Sequence, residues 1–405
     1  MSWEALDLDG LIPEDHRARL VWEYVQGLDL EAFLRGIRAV EGHSGRPAID
    51  PAILLSLWLY ATLEGVGSAR ALDRLCHEHN AYRWLCGGVG VNYHTLADFR
   101  VEHAEALDEL LTQSVAALLK ARLVEMERVA QDGMRVRASA GAPSFRRRET
   151  LEECLKEAQE QVRRLRQEVE ADPGASSRRR EAARRRAVEE RRARVARALK
   201  EAKEVGRRRA RATGKISKEP PRASTTDPES RVMKMADGGY RPAFNAQFAT
   251  DTKSQVIVGV DVTNCGSDFG NLVPMTEQIE RRYGRAPAEM LADGGFAARA
   301  DIATLTARGC RVYAPPPKPR DPGRGRYDPI PGEDREISEW RRRMGTARAK
   351  RIYRERSATA ECVNAIARNR GLRQFLVRGR DKAKAVVLWF ALAHNLLRAN
   401  VLRTI

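Results

Sequence analysis

The chain is 405 residues long, 42% of them apolar, and carries a formal net charge of +17 with a pI near 10.0. That length and apolar content exclude a wholly disordered polypeptide and allow two or three domains with full cores. The basic excess points to a polyanionic partner, nucleic acid before membrane. Cys76, Cys86, Cys154, Cys265, Cys310 and Cys362 show no Cys-x-x-Cys spacing, which argues against a disulfide framework and for unpaired thiols in a reducing compartment.

The acidic opening MSWEALDLDGLIPEDH lacks the apolar core of an export signal, so a cytoplasmic, nucleoid-associated protein with no membrane partner is expected. The longest apolar runs, AILLSLWLYATL (52–63) and AVVLWFALA (385–393), fall short of a bilayer and read as buried core helices. Residues 1–122 read as all-helical. Asp50-Pro51 is an N-cap and first-turn pair for the helix to residue 64, and Ser68 can cap the next one. Thr95 and Asp98 give a capping-box-like start to a long amphipathic helix. Short helices joined by Gly-containing turns fit a helix-turn-helix DNA module and a dimerising bundle equally well. Cys76, His77 and His79 do not make a zinc site, because the two histidines point to different faces and no second ligand pair follows.

From Arg128 the periodicity changes. RVAQDGMRVRA alternates, with Met134, Val136 and Ala138 on one face, and reads as a strand carrying Asp132. Residues 146–220 hold 25 Lys and Arg against 14 Asp and Glu, a surplus of 11. Their Ala-Glu-Arg-Leu composition predicts two long helices broken at DPGASS (172–177), with a thin seam at Leu151, Leu155, Val162, Leu165 and Val169. This insertion, 146–223, is either an arm along phosphate backbones or a solvated helical pair whose charges are internal partners.

After the arm, YRPAFNAQFATD and SQVIVGVDVTN are strands, NLVPMTEQIERRYG a helix, and AEMLADGGFA a short strand ending on Asp293. Then come the helix ARADIATLTARG, the strand CRVYAPPP and a helix within RIYRERSATAECVNAIAR (351–368). Residues 123–145 and 224–405 therefore form a mixed five-stranded α/β core. Carboxylates stand on the first and fourth strands and on the last helix. Such carboxylates have a use in clamping two Mg²⁺ or Mn²⁺ ions against phosphate oxygens. The glycines in QDGM and ADGG allow close approach of backbone or substrate.

The chain resembles the bacterial insertion-sequence DDE transposases with an RNase H-like catalytic domain. The resemblance is carried by QDGMRVRA, STTDPESRVMKMADGGYRPAFNAQFATD, LADGGFA and YRERSATAECVNAIAR. The family signature is Tyr, two residues, Arg, three or four residues, Glu, six residues, then Lys or Arg; Tyr353, Arg356, Glu361 and Arg368 match it with the four-residue gap. The resemblance implies that Asp132, Asp293 and Glu361 are catalytic and bind two metal ions. It also implies that Tyr353, Arg356 and Arg368 hold DNA at the transposon ends. The implied partners are terminal inverted repeats and target DNA, engaged by a homodimer. The implied reaction is cleavage at the element's ends followed by strand transfer. An RNase H-fold nuclease without strand transfer and a transposase-derived DNA-binding protein without catalysis are the alternatives.

On the residues themselves, Ser357 reads as the N-cap of the Glu361 helix, with Tyr353 and Arg356 ahead of it, and Glu355 is a rival third carboxylate. Trp340, flanked by Arg341–Arg343, is a further DNA-binding candidate that either stacks on a flipped or terminal base or packs under a loop. The C-terminal helix from Asp381 reads as core packing.

Overall fold

The computed structural model describes residues 7–35, 48–171, 178–213 and 220–404. Its central strand is β1, Arg128–Arg137. Ahead of it lie α1 (Arg17–Gln26), α2 (Glu31–Leu34), α3 (Pro51–Leu63), α4 (Ala69–Glu78), α5 (Asn80–Cys86), α6 (Tyr93–Glu102) and α7 (Ala104–Lys120). The α3 helix is apolar all round and almost wholly buried, as the central helix of a bundle must be. Asp50 caps it by accepting from Ala52 N at 2.8 Å, and Ser68 caps α4 through Ala71 N at 3.3 Å. The expected start at Thr95 is corrected. Asn92 is the cap, accepting from His94 N and Thr95 N at 3.0 Å each, and the long helix divides at His103. Asn92 wins because its short carbonyl reaches two free N–H groups at once.

After β1 come β2 (Phe145–Arg147), α8 (Arg148–Ala171), α9 (Arg178–Thr213) and β3 (Arg222–Ser224), with β2 and β3 paired antiparallel. The break expected at 172–177 lies outside the described residues. Leu151, Ala198, Ala202 and Ala223 form a small separate core where the helical pair meets β3. Much of the arm's charge is matched internally: Arg184–Glu168 at 3.0 Å, Arg166–Glu189 at 3.3 Å, Arg194–Glu190 at 3.5 Å. Exposed pairs of this kind contribute about 0–1 kcal/mol each; the first two cross between α8 and α9, and the third lies within α9.

The remaining elements are β4 (Arg231–Lys234), β5 (Tyr240–Asp251), β6 (Ile257–Thr263), α10 (Leu272–Tyr283), β7 (Glu289–Leu291), α11 (Arg299–Ala307), β8 (Arg311–Tyr313), α12 (Arg335–Gly345), α13 (Ala347–Arg356), α14 (Cys362–Asn369) and α15 (Arg380–Thr404). The main sheet has six strands where five were expected. β1 runs antiparallel to β5 with Asp132 opposite Phe248, and parallel to β7 with Val129 opposite Met290. β8 extends the sheet beyond β7 in parallel. The sixth strand, β4, shares the far edge of β5 with β6: β4 pairs residues 240–243, and β6 pairs residues 245–250. A four-residue strand so close to a Gly-Gly turn gave too short an alternation to stand out.

The α15 helix joins the bundle to the sheet. By length and composition it could cross a bilayer, but 72% of its most apolar window is buried within the protein. The Trp389 indole N–H donates to Arg100 O at 3.0 Å on the bundle side. On the sheet side, Asn395 both accepts from Ile257 N and donates to Ile257 O, each at 2.8 Å, closing the edge of β6. His394 beside it is buried, with Nε2 at 2.8 Å from Gln255 O. A carbonyl can only accept, so Nε2 carries the proton.

Burial first, with Arg370 and Arg398 adding repulsion and the Gln255 carbonyl opposing, lowers the His394 pKa from 6.5 to about 4. A depressed folded-state value means stability that is complete above pH 6.5 and is lost as pH falls towards 4. The shift corresponds to about 3 kcal/mol. Urea unfolding of the wild type and His394→Gln across that window should therefore show the wild type losing about 3 kcal/mol more than the variant. Parallel pH profiles would refute this.

Candidate active site

Asp132 sits at the middle of β1 with its side chain on the α13–α14 side of the sheet. Its Oδ2 accepts from Asn364 Nδ2 at 3.0 Å and lies 3.5 Å from Arg356 Nη1, while Oδ1 accepts from Gly133 N at 2.9 Å. Burial raises its pKa. The Arg356 guanidinium opposes that shift, and the nearby Asp293 and Asp268 carboxylates reinforce it. Asp293 lies two residues beyond β7 rather than on it. It caps the 3₁₀ turn Gly294–Phe296, with Oδ1 accepting from Gly295 N at 2.7 Å. A Cβ on Gly295 would fall 2.9 Å from that same oxygen, so the glycine is what lets the cap close.

Glu361 does not open a helix capped by Ser357. The chain runs unbroken from α13 through a π-helical turn, Ser357–Glu361, into α14, so Tyr353 and Arg356 lie on the last turn of α13. The Ser357 hydroxyl donates to Arg354 O at 3.0 Å, and the Thr359 hydroxyl to Glu355 O at 2.7 Å. Both back-bond to carbonyls near the widened turn. Two residues five apart on an α-helix lie about 140° apart around its axis. A π turn closes between residues five apart and so sets Glu361 over Arg356. Their side chains pair directly.

Arg356, with 12% of its side chain exposed, thus bridges Asp132 on β1 and Glu361 on the helix, and its guanidinium lies 5.8 Å from the centre of the Tyr353 ring. Burial alone would lower the Arg356 pKa, but Tyr353, Asp132 and Glu361 outweigh it and the pKa rises. The Tyr353 hydroxyl is pushed up, by burial first and then by Asp293 and Glu361, against the opposing pull of Arg356. Asp132, Asp293, Glu361, Tyr353 and Arg356 therefore share one electrostatic neighbourhood.

Two candidates stand elsewhere. Arg368 is exposed and lines a groove that includes Gly133 but none of the cluster's side chains. Trp340 is corrected: it is fully buried, its N–H donates to Ala314 O at 3.1 Å, and it has no free face for a base. Glu355, the rival carboxylate, is held by Arg128 at 2.7 Å, at the opposite end of β1 from Arg137.

Sequence reading missed Asn364 and Asp268. On the face of β1 opposite Asp132, Asp268 is buried and accepts from Asn245, Gln247 and Arg135, each at 2.7 Å. It lies over Gly133, where an added Cβ would come within 2.1 Å of its Oδ1. The close approach expected at this glycine is thus made by a carboxylate of the chain itself. Alternating Asn245 and Gln247 in an otherwise apolar strand were the available signal.

The donor chemistry suits a hard divalent cation, since three carboxylates supply only oxygen and two of them repel each other. The Asn364 Oδ1 is buried without a protein partner, an acceptor open to a hydrated ion's water. Among the described residues, however, no three acidic, His or Cys side chains converge to metal-holding reach, and Arg356 contacts both Asp132 and Glu361.

The family description "Transposase domain (DUF772)" matches residues 6–102, and "Transposase DDE domain" matches residues 220–396. The chain belongs to the DDE transposases. The two matches flank the helical arm. Glu361, Asp293 and the signature residues of this transposase fall inside the second match, while Asp132 precedes it. Comparison with the curated proteins and with the solved structures gave no match.

Two variants test this geometry. Gly133→Ala should lower stability to denaturant by about 1–3 kcal/mol, the usual cost of overpacking, and an unchanged midpoint would show that Asp268 is not fixed over the glycine. Deleting Ala358 leaves a three-residue gap that an ordinary α-helix closes. That protein should fold, and should retain DNA cleavage to within about tenfold, a barrier change near 1.4 kcal/mol. Inserting an alanine after Ala358 should abolish cleavage. Loss of cleavage in the well-folded deletion variant would show that the wide turn does more than set the spacing.

Proposed function

We propose that this transposase cuts DNA at the ends of an insertion sequence and joins the freed 3′ ends to target DNA, with Asp132, Asp293 and Glu361 as its catalytic carboxylates. The observation that carries the proposal is the Arg356 bridge, which ties the carboxylate of the central strand to that of the signature helix beside Asp293. The sheet supports an RNase H-like core. Its three antiparallel strands, β1, β5 and β6, are followed by β7, added in parallel beside β1, and β8, added in parallel beside β7, each through a helix. We assign end recognition to residues 1–122, chemistry to 123–145 and 224–405, and an accessory role to the arm. An element has two ends, so one site at each calls for a homodimer, working on nucleoid DNA in the cytoplasm.

Asp132, Asp293 and Glu361 would hold two Mg²⁺ or Mn²⁺ ions, which when bound supply charge neutralisation at the phosphate and a reactive oxygen nucleophile. Arg356 and Tyr353 offer donors to the phosphate being cut and fix its orientation. Asn364 holds the Asp132 carboxylate in one rotamer. In the first step water cleaves the P–O3′ bond and leaves a 3′ hydroxyl. In the second that hydroxyl attacks a phosphodiester of the target and displaces its 3′ oxygen. The chain contributes positioning and electrostatics, with no covalent intermediate on protein.

The test is a labelled duplex bearing the terminal repeat that flanks the coding region, incubated with Mg²⁺, Mn²⁺ or EDTA. Asp132→Asn, Asp293→Asn and Glu361→Gln should each abolish metal-dependent nicking at the repeat boundary while leaving binding intact. Tight, metal-independent binding by a wild type that never cuts would replace the proposal with a non-catalytic DNA-binding protein.

A further inference from the structure

The two ends of β1 open into cavities of opposite electrostatic character. At the Arg128 end, a cavity of about 630 Å³ is lined by five carboxylates against four cations, and most of these charges are matched to one another. Arg128 pairs with Glu289 at 2.6 Å and with Glu355 at 2.7 Å, Arg311 pairs with Glu289 at 3.0 Å, and Lys253 pairs with Glu125. Such a set has little attraction left for an outside ion.

At the Arg137 end, a groove of about 800 Å³ starts at Gly133, the neighbour of Asp132, and runs to the β4–β5 hairpin. Arg135 and Arg137 of β1, Lys234 and Arg241 of the hairpin, and Arg368 and Arg373 of the segment after Glu361 line it. Arg135 is engaged by Asp268 at 2.7 Å and Arg241 by Asp237 at 2.6 Å. Among the described residues no carboxylate pairs with Arg137, Lys234, Arg368 or Arg373, and the Arg373 Nε donates only to Arg368 O, at 3.1 Å. Four cations around one groove repel one another unless a polyanion lies between them. Tyr240, 69% exposed on the same hairpin, offers an aromatic ring to solvent next to Arg241 in the chain.

We propose that this groove is a DNA track: the phosphodiester backbone flanking the bond to be cut lies across Arg137, Lys234 and Arg373, and the β4–β5 hairpin is a DNA-contacting wing. Gly133, next to Asp132 in the chain, and Arg368, seven residues beyond Glu361, are the points at which the groove comes nearest in sequence to the cluster. The inference rests on the transposase reading and adds to it the route by which DNA leaves the catalytic cluster. The cavity at the other end of β1, with more carboxylates than cations in its lining, is the less favourable route for a phosphate backbone.

The experiment measures binding of the full chain to a fluorescent duplex of mixed sequence, in EDTA so that nothing is cut, over a series of salt concentrations. The triple variant Arg137→Gln/Lys234→Gln/Arg373→Gln is compared with the wild type, with thermal melting as the check on folding. Each phosphate contact contributes about 0.9 to the slope of log affinity against log salt, so the triple variant should lose between about 2 and 3 from that slope. Its affinity at low salt should fall at least about tenfold. Lys234→Gln alone, at an exposed side chain, should lose about 1 and serves if the triple variant does not melt cooperatively. A steep wild-type slope retained in full by the variants would remove the groove and leave the transposase reading standing. A wild type with no affinity for the duplex would remove both.

Discussion

One guanidinium determines how the carboxylate cluster is assembled. Arg356 is mostly withdrawn from water and lies between a carboxylate fixed by the sheet and a carboxylate fixed by a helix. A buried cation with fewer partners would be costly. A buried ion pair is weak evidence for net stability in any case, because desolvation offsets much of the attraction. The better account of Arg356 is one of specificity. It admits a single phase for the helix around Glu361, and the π turn is how the backbone meets that phase with a five-residue spacing. Tyr353, Asn364 and the Asp293 turn then follow as neighbours of a point already fixed.

The central strand divides its work between two faces. Asp132 looks towards the signature helix, while Gln131, Gly133 and Arg135 look the other way, into the polar cluster around Asp268. That cluster is buried apart from Arg135 and converges on one acceptor: Asn245, Gln247 and Arg135 all donate to the Asp268 carboxylate, and Gln131 donates to the Gln247 carbonyl at 3.1 Å. Networks of this kind are rigid when satisfied. Rigidity directly behind Asp132 is useful to a strand that must hold its side chain against two neighbouring like charges.

How much of this was legible in the sequence depended on whether the signal was periodic. Alternation at Met134, Val136 and Ala138 gave β1 and placed Asp132 on it, and the caps at Asp50 and Ser68 gave the edges of two helices. The spacing of Tyr353, Arg356, Glu361 and Arg368 pointed to one segment of chemistry. The π turn was invisible, because an inserted residue does not alter a 3.6-residue pattern on either side of it, and Ser357 looked like an ordinary cap. Trp340 misled because flanking arginines report the charge of a helix and not the face its indole takes. Asp268 went unread because its importance lies in Asn245, Gln247 and Arg135, which reach it only after the sheet forms.

The arm carries a consequence for how the chain folds. More than a hundred residues separate Val129 on β1 from its partner Asp251 on β5, a separation that ordinarily makes strand pairing slow. About half of that span is the two helices of the arm, whose ends are brought together by the Phe145–Ser224 pairing of β2 with β3. Once the helices zip, the loop that must close for this pair shrinks to roughly 43 residues, which lowers the closure entropy by about 1 kcal/mol. Paired early, the arm acts as a splint, and its length becomes nearly invisible to the assembly of the sheet.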